Sequence, residues 1–292
     1  MNISKEIKEK VVEAMKERRP HYASDAKFAV ALGISSSQYS RVMRGDWERV
    51  LSDSNWISIA RKLEVTLNAL PEWKTAVTPV YEFVTGQLQF CQDNGSSRML
   101  CDVADIGKTY TARCYVRNHA NAIYIDCSQV KTKQRLIRQI AREFGVGSVG
   151  TYHEVYADLV FYLRSLPRPL VILDEAGDLD YAAFLELKAL WNATERCCGW
   201  YMMGADGLRE KIRRSIEYKK VGYEEIFSRY GSRYQRATPE SDKETQEFKR
   251  LHAALIAKAN AGTGVNIQRL IAQCDCSPRR IYDELMKANR NA

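Results

Sequence analysis

Two short motifs constrain the fold of this 292-residue chain more than any other feature of its sequence. The first is Gly107-Lys108-Thr109, which lies between a short apolar stretch and a helical pattern. The second is the apolar run 170–173, which ends in Asp174-Glu175. Such a run is typical of a buried parallel strand whose last residues emerge at the edge of a sheet where α/β folds bind ligands. The pair therefore predicts an α/β fold with a parallel sheet and a ligand site at its carboxyl edge.

The residue types in these motifs suit a nucleoside triphosphate and a metal ion. Gly-Lys-Thr at the start of a helix would place backbone N–H groups and the Lys108 ammonium on phosphates, leaving the Thr109 hydroxyl to hold Mg²⁺. Asp174 would hold the same ion, and Glu175 would act as the catalytic residue that orients the attacking water. We therefore expect ATP and Mg²⁺ as cofactors, with Thr109 and Asp174 as metal ligands. The expected ATP-binding residues are Asp105, Ile106, Gly107, Lys108, Thr109, Tyr110 and Asp174.

The loop before Lys108 departs from the P-loop pattern, which is Gly, four residues, then Gly-Lys-Ser or Gly-Lys-Thr. Asp102 occupies the position of the first Gly, and Asp105 lies within the loop. Two carboxylates near a triphosphate are unfavourable, and Asp adopts a positive φ less readily than Gly. The sequence alone therefore leaves open a degenerate site that binds nucleotide weakly.

Composition favours a cytoplasmic protein with a polyanionic partner. The formal net charge is +8, and no stretch is long and apolar enough to span a bilayer, so we expect no membrane partner. The first residues lack the basic and apolar regions of a signal peptide. The eight cysteines lack metal-site spacing and are expected to be reduced, structural thiols.

A helix-turn-helix pattern in the first 70 residues provides a separate indication of DNA. Residues 24–45 have the pattern of a helix, a turn at Gly33 and a second helix, with Ser35 or Ser36 suited to the N-cap of the second helix. The expected inward residues are Phe28, Ala29, Leu32, Ile34, Tyr39 and Val42. The outward residues of the second helix, expected to reach base edges or phosphates, are Ser36, Ser37, Gln38, Arg41 and Arg44. A helical module for contacts between proteins would show the same pattern.

The chain divides into four predicted segments. These are a helix-turn-helix domain (1–70), a proline-containing linker (71–80), an α/β ATPase core with a P-loop-like motif (81–238) and an all-helical lid (239–292). Strands are expected at 99–103, 122–126, 170–173 and 199–203. Helices are expected at 5–17, 53–63, 80–91, 131–144, 152–165, 184–195, 243–261, 267–274 and 278–289.

The order of these motifs resembles that of the MuB-like AAA+ transposition ATPases. The resemblance is carried by the N-terminal helix-turn-helix and by residues 101–109, 171–179 and 202–206, and it spans almost the whole chain. It implies that Ala205 occupies the position of a polar sensor and that Arg229 or Arg233 is a catalytic finger supplied to the neighbouring subunit. It also implies that Arg280 is a nucleotide-sensing residue of the lid.

The same resemblance implies an ATP-dependent protein that assembles on double-stranded DNA as a ring or helical filament and recruits or stimulates a transposase. Basic side chains inside such an assembly, such as Lys131 and Lys133, would contact DNA phosphates, although they also suit a solvated helical face. Two alternatives stay open. One is a DNA-binding scaffold with a degenerate ATPase site. The other is a helix-turn-helix transcriptional regulator or a helicase-loader-like ATPase.

Overall fold

The N-terminal residues form a small helical bundle. The computed structural model describes residues 3–65 and 73–290, with side chains described up to residue 288. The bundle consists of α1 (Lys5–Arg18), α2 (Asp25–Leu32), α3 (Ser36–Met43) and α4 (Asp53–Lys62), with a short 3₁₀ turn after α1. Each α-helix begins after a serine whose hydroxyl accepts a backbone N–H of the first turn. Local sequence therefore sets where these helices start.

The bundle core confirms the predicted helix-turn-helix. Gly33 has φ +79° and ends α2, as the left-handed conformation at a helix C-terminus requires. Ser35 caps α3 in a reciprocal pair with Gln38. The six residues predicted to face inward are all buried: Phe28, Ala29, Leu32, Ile34, Tyr39 and Val42.

A five-stranded parallel sheet follows, in the order β2-β3-β4-β1-β5. Its strands are β1 (Ser97–Cys101), β2 (Ala122–Asp126), β3 (Leu170–Asp174), β4 (Gly199–Gly204) and β5 (Tyr234–Gln235). The first four confirm the sequence prediction. The fifth was not predicted, because a two-residue strand carries no periodic signal.

Helices cover both faces of the sheet. They are α5 (Pro79–Asn94), α6 (Lys108–Asn118), α7 (Lys133–Glu143), α8 (Tyr152–Ser165), α9 (Tyr181–Ala193), α10 (Asp206–Glu217) and α11 (Tyr223–Arg229). Along β3, Leu170 and Ile172 pack into the core shared with α5 and α6, whereas Val171 and Leu173 pack into the core shared with α7–α9. This burial on both faces explains why the strand is a continuous apolar run.

Three C-terminal helices complete the chain, as predicted. They are α12 (Asp242–Asn260), α13 (Ile267–Gln273) and α14 (Pro278–Arg290), and they share an apolar core that includes Ala257 and Ile281. Trp73 packs against this core. Of the predicted linker, residues 71 and 72 lie outside the described residues, 73–78 form neither helix nor strand, and the last two belong to α5. Residues 66–70 of the predicted first domain also lie outside the described residues.

The helical bundle packs on the α/β core through polar contacts. The Arg18 guanidinium donates to the carbonyl of Val116 at the end of α6. Glu64 forms ion pairs with Arg113 and Arg117 on the same helix, and Lys27 lies 4.3 Å from the centre of the Tyr162 ring. Within residues 3–65 and 73–290, no helix is long and apolar enough to cross a membrane.

Candidate functional site

The two sequence motifs meet at the carboxyl edge of the sheet. The hydroxyl of Thr109, in the first turn of α6, donates to Asp174 Oδ2 at 2.6 Å. Tyr124 on β2 donates to the same oxygen at 2.8 Å, and the backbone N–H of Glu175 donates to Oδ1 at 2.9 Å. Asp174 is therefore a buried carboxylate whose two oxygens are held by donors from three elements.

Lys108 lies over the loop that precedes α6. Its ammonium donates to the carbonyls of Asp102 at 2.9 Å and Val103 at 2.6 Å. Burial lowers the pKa of Lys108, whereas the carboxylates of Asp102, Asp174 and Glu175 raise it. Gly107 has φ +85° and would place an added Cβ no closer than 4.0 Å to any atom but its neighbours in the chain, the nearest being His252 Nε2. The loop thus has a positive group and an open glycine at the start of a helix, as a phosphate site requires.

Glu175 follows Asp174 in a left-handed conformation with φ +49°. Its side chain is exposed. Partial burial and the charge of Asp174 raise the pKa of Glu175, which suits a residue that takes a proton from water. The hydroxyl of Thr109 and the carboxylate of Asp174 are hard oxygen donors, and such donors fit Mg²⁺.

The two loop carboxylates that depart from the P-loop pattern have partners in other parts of the chain. Asp102 is fully buried, and its oxygens accept hydrogen bonds from the segment between β5 and α12. Asp105 has φ +60°, accepts the hydroxyl of Ser277 and lies 3.3 Å from Arg279 Nε. Each of the two carboxylates therefore has partners of its own, supplied by residues after β5 or by the C-terminal helices.

A cavity of about 80 Å³ lies between this loop and the C-terminal helices. His252 on α12 is 3% exposed, and neither ring nitrogen has a hydrogen-bond partner within the described part of the chain. Burial lowers the pKa of His252 to about 4, although Asp105 acts in the opposite direction. The lining residues are Ala104, Asp105, Ile106, Phe248, Lys249, His252, Asp275, Cys276 and Ser277.

The other residues predicted to contact the nucleotide are Ile106, Tyr110 and Arg280, and their side chains contact other parts of the chain. The Ile106 side chain is buried in the core with α5 and α6, so only its backbone is available to a ligand. The Tyr110 hydroxyl lies 2.7 Å from Thr75 Oγ1. Arg280 donates to the carbonyl of Gln273 at 2.8 Å, within the C-terminal helices, and its neighbour Arg279 makes the contact with the loop. Of these two neighbouring arginines, Arg279 is therefore the one that contacts the loop in this structure.

The two candidate finger residues lie at the end of α11. Arg229 donates to Asn192 Oδ1 at 2.7 Å and stacks 5.3 Å from the centre of the Trp191 ring, so it is held against α9. Arg233 is exposed in the turn before β5. Ala205 follows β4 at the start of α10, and the adjacent Asp206 pairs with Arg209 at 3.2 Å. No polar side chain therefore stands at position 205.

The candidate DNA contacts lie on two surfaces. On α3, Ser36, Ser37, Arg41 and Arg44 are exposed. Arg41 pairs with Asp46 at 2.7 Å, and Arg44 donates to the carbonyl of Ser40 at 3.2 Å.

Gln38 is less available than these, since its amide accepts from Ser35 N and donates to Val50 O. The second surface is the turn between β2 and α7. There Lys131 pairs with Asp178 at 3.0 Å and Lys133 lies 5.2 Å from the centre of the Tyr152 ring.

Sequence reasoning missed several residues that organise the site. Tyr124 and Arg279 are examples, and Lys211 is a third, because its ammonium donates to the carbonyls of Gly177 and Leu179 in the turn after β3. Only Tyr124 carried a usable signal, as a polar-tipped residue near the end of a predicted strand. The others depend on elements that the sequence does not place relative to the loop.

Comparisons with known proteins agree with this geometry. Residues 96–212 match a family model described as an AAA domain. The structure is similar to the crystal structure of Cdc6p from Pyrobaculum aerophilum, with a TM-score of 0.55 and 19% sequence identity over 76% of this chain. The match covers 65% of that chain, so this protein spans about two thirds of its length. No curated protein matches. The chain thus has an AAA+ fold like that of Cdc6p, and residues 96–212 match the AAA domain family.

Proposed function

We propose that this protein is an ATP-dependent DNA-binding AAA+ ATPase. The single observation that supports this best is the hydrogen bond between Asp174 and Thr109, the residue after Lys108. It brings a candidate metal-binding hydroxyl, a carboxylate and a phosphate-binding cation to one edge of the sheet. The presence of both Thr109 and Asp174 also argues against a DNA-binding scaffold with a degenerate ATPase site.

The residues present suggest how ATP and Mg²⁺ would be held. Backbone N–H groups of the loop and the Lys108 ammonium would bind phosphate oxygens, with Lys108 exchanging its two carbonyl acceptors for them. Thr109 and Asp174 would hold Mg²⁺, which neutralises negative charge on the phosphates. Glu175 would accept a proton from the attacking water.

Catalysis would be completed by a neighbouring subunit. Arg229 or Arg233 would offset charge on the transferring phosphoryl group, which is worth orders of magnitude in rate. Because this guanidinium comes from another subunit, bound ATP would favour the assembly and hydrolysis would weaken it. A site that each subunit completes for its neighbour fits a ring or helical filament on double-stranded DNA.

The finer part of the proposal is that the assembly marks target DNA and recruits or stimulates a transposase. It depends on the resemblance in motif order and on the N-terminal helix-turn-helix. The alternative of a sequence-specific regulator is less well supported. Gln38, whose amide would read adenine, is already engaged at both of its ends.

ATP binding and hydrolysis should be measured for the wild type, Lys108→Ala and Glu175→Gln, each with and without DNA. We expect Lys108→Ala to lose ATP binding. Glu175→Gln should keep it, while hydrolysis falls by about 10²-fold or more, because the proton acceptor is removed. Hydrolysis that is unaffected by Glu175→Gln would contradict the assigned role. Stimulation of strand transfer by a transposase in vitro would test the finer proposal.

A further inference from the structure

The carboxylate of Asp102 is fully buried and accepts hydrogen bonds from two separate segments. Its own loop supplies the Val103 N–H at 2.8 Å. The segment between β5 and α12 supplies the Ala237 N–H at 2.7 Å, the Thr238 N–H at 3.0 Å and the Thr238 hydroxyl. Arg236 Nε lies 3.8 Å away. A buried carboxylate is tolerated when it is hydrogen-bonded in this way, and removing it would leave buried N–H groups without acceptors.

The backbone at Asp102 explains why glycine is not needed there. Asp105 is one of the non-glycine residues with positive φ in the described chain, and Asp102 is not one of them. The left-handed conformation within the loop is adopted by Asp105 and Gly107 instead. A side chain at position 102 is therefore free of backbone strain and can serve another purpose.

Asp102 also contacts the phosphate-binding lysine through its backbone. Its carbonyl accepts the Lys108 ammonium at 2.9 Å, and the carbonyl of Val103 accepts the same group. Because β5 pairs with β1, the segment that follows β5 lies beside the loop that follows β1. One residue thus joins Lys108 on one side to the start of the C-terminal helices on the other.

We propose that Asp102 is a positioning residue that couples the phosphate loop to the C-terminal helices α12–α14. This inference rests on the proposed nucleotide site. When Lys108 turns to a phosphate, the carbonyls of Asp102 and Val103 lose their donor and the loop adjusts. The hydrogen bonds that residues 237 and 238 donate to the Asp102 carboxylate transmit that adjustment to α12. Asp105 lies on the same loop and contacts Ser277 and Arg279 at the start of α14. The adjustment of the loop therefore also reaches the C-terminal helices through this second contact.

The test compares variants that remove this link with matched controls that keep it. Asp102→Asn replaces an acceptor oxygen with a donor group, and Thr238→Val removes the hydroxyl while preserving shape. Thr238→Ser retains the hydroxyl. Thr245→Val makes the same chemical change at a threonine on α12 whose hydroxyl bonds to Pro239 O and not to the loop. Thermal unfolding of each purified variant checks that it is folded.

Two quantities are measured on the full chain: the affinity for a fluorescent ATP analogue, and the change in amide hydrogen exchange of residues 236–288 caused by that analogue. We expect Thr238→Val, which lies outside the phosphate loop, to bind within about threefold of wild type. Asp102→Asn changes the loop itself and is read for the exchange change. Both should lose the exchange change in α12–α14. Thr238→Ser and Thr245→Val should keep both properties.

Two results would overturn the inference and leave the proposed function intact. One is that the analogue changes the amide hydrogen exchange of α12–α14 in Thr238→Val as it does in wild type, and also in Asp102→Asn if that variant folds. The other is that these variants lose affinity as completely as Lys108→Ala, which would make Asp102 a structural part of the binding site. A wild-type chain that binds no analogue would instead reject the proposed function together with the inference that rests on it.

Discussion

At the scale of single residues, the site depends on the hydrogen-bond and ion-pair partners of three carboxylates. Asp102 accepts hydrogen bonds from residues 237 and 238, Asp105 pairs with Arg279, and Asp174 accepts from Thr109 and Tyr124. The Lys108 ammonium donates to two loop carbonyls and forms no ion pair with these carboxylates in the described residues. Departures from the P-loop pattern are therefore local substitutions whose charges are satisfied elsewhere in the chain.

Acid sensitivity of folding is expected from His252, because burial lowers its pKa to about 4 in the folded state. In the unfolded chain, His252 has an ordinary pKa near 6.5 and therefore binds a proton more readily. The free energy of unfolding is then unaffected by protonation of this histidine above pH 6.5 and decreases as the pH falls towards 4. The loss approaches roughly 3 kcal/mol at most. Urea unfolding of His252→Leu between pH 7 and pH 4 should show a weaker pH dependence than wild type. An unchanged dependence would show that His252 does not titrate in this way.

The pH dependence of hydrolysis should report Glu175. Because partial burial and Asp174 raise the pKa of this carboxyl, the rate should fall as the pH drops through a value above the ordinary range of glutamate. The base is active only when deprotonated, so the loss occurs on the acid side. A profile of kcat against pH measures this midpoint. An acid limb at or below the ordinary glutamate value would contradict the assignment.

The sequence predicted the placement of those candidate site residues that belong to a local pattern. Lys108 and Thr109 open a helix, and Asp174 ends an apolar run, so their types and neighbours were sufficient. The direction of the Asp102 side chain could not be predicted, because its partners at 237 and 238 are distant in sequence. Their proximity follows from β5, which is too short to recognise. That Arg279 and not Arg280 contacts Asp105 could not be predicted either, since adjacent residues on a helix face different sides.

At the scale of elements, strand and helix predictions were most accurate where burial imposes a period. The strand at 122–126 and the helix at 152–165 were predicted to the residue. How the N-terminal bundle packs on the core was not predictable, because the contacts are polar and scattered over α1, α2 and α6.

Packing of the bundle on the core should depend on Gly145, after α7. This residue has φ +69°, and an added Cβ would lie 2.1 Å from the carbonyl oxygen of Lys27. Gly145→Ala should lower the free energy of unfolding by about 2–4 kcal/mol, from backbone strain and the forced displacement of α2. Gly147→Ala is the matched control, because an added Cβ there meets nothing within 4 Å. Its effect should stay within about 0.5 kcal/mol in the same urea titration. Equal effects of the two substitutions would contradict the observed packing.

At the scale of the whole molecule, the proposed mechanism requires that one subunit completes the site of the next. Lys108→Ala lacks its own nucleotide site but retains the candidate fingers, whereas the double variant Arg229→Ala, Arg233→Ala retains the site and lacks the fingers. Each variant alone should hydrolyse ATP poorly on DNA. Mixing them should restore part of the rate, because some interfaces then combine an intact site with an intact finger. A mixture no more active than its components would place catalysis within a single subunit.

Binding to DNA should be governed by phosphate contacts. The net charge of +8 and the exposed Arg44 and Lys133 favour affinity that falls steeply with salt and depends weakly on sequence. Titration of unrelated DNA duplexes at two or more salt concentrations measures both properties. A strong preference for one operator sequence would favour a regulator instead.

The central claim is that nucleotide bound at Lys108 controls assembly on DNA. It is tested most directly by measuring DNA binding and assembly size of the purified protein with ATP, with ADP and without nucleotide, alongside Lys108→Ala. We expect large assemblies on DNA with ATP only, and none with Lys108→Ala under any condition. Assemblies of the same size in all three nucleotide states, unaffected by Lys108→Ala, would contradict it and favour a DNA-binding scaffold whose nucleotide site has no controlling role.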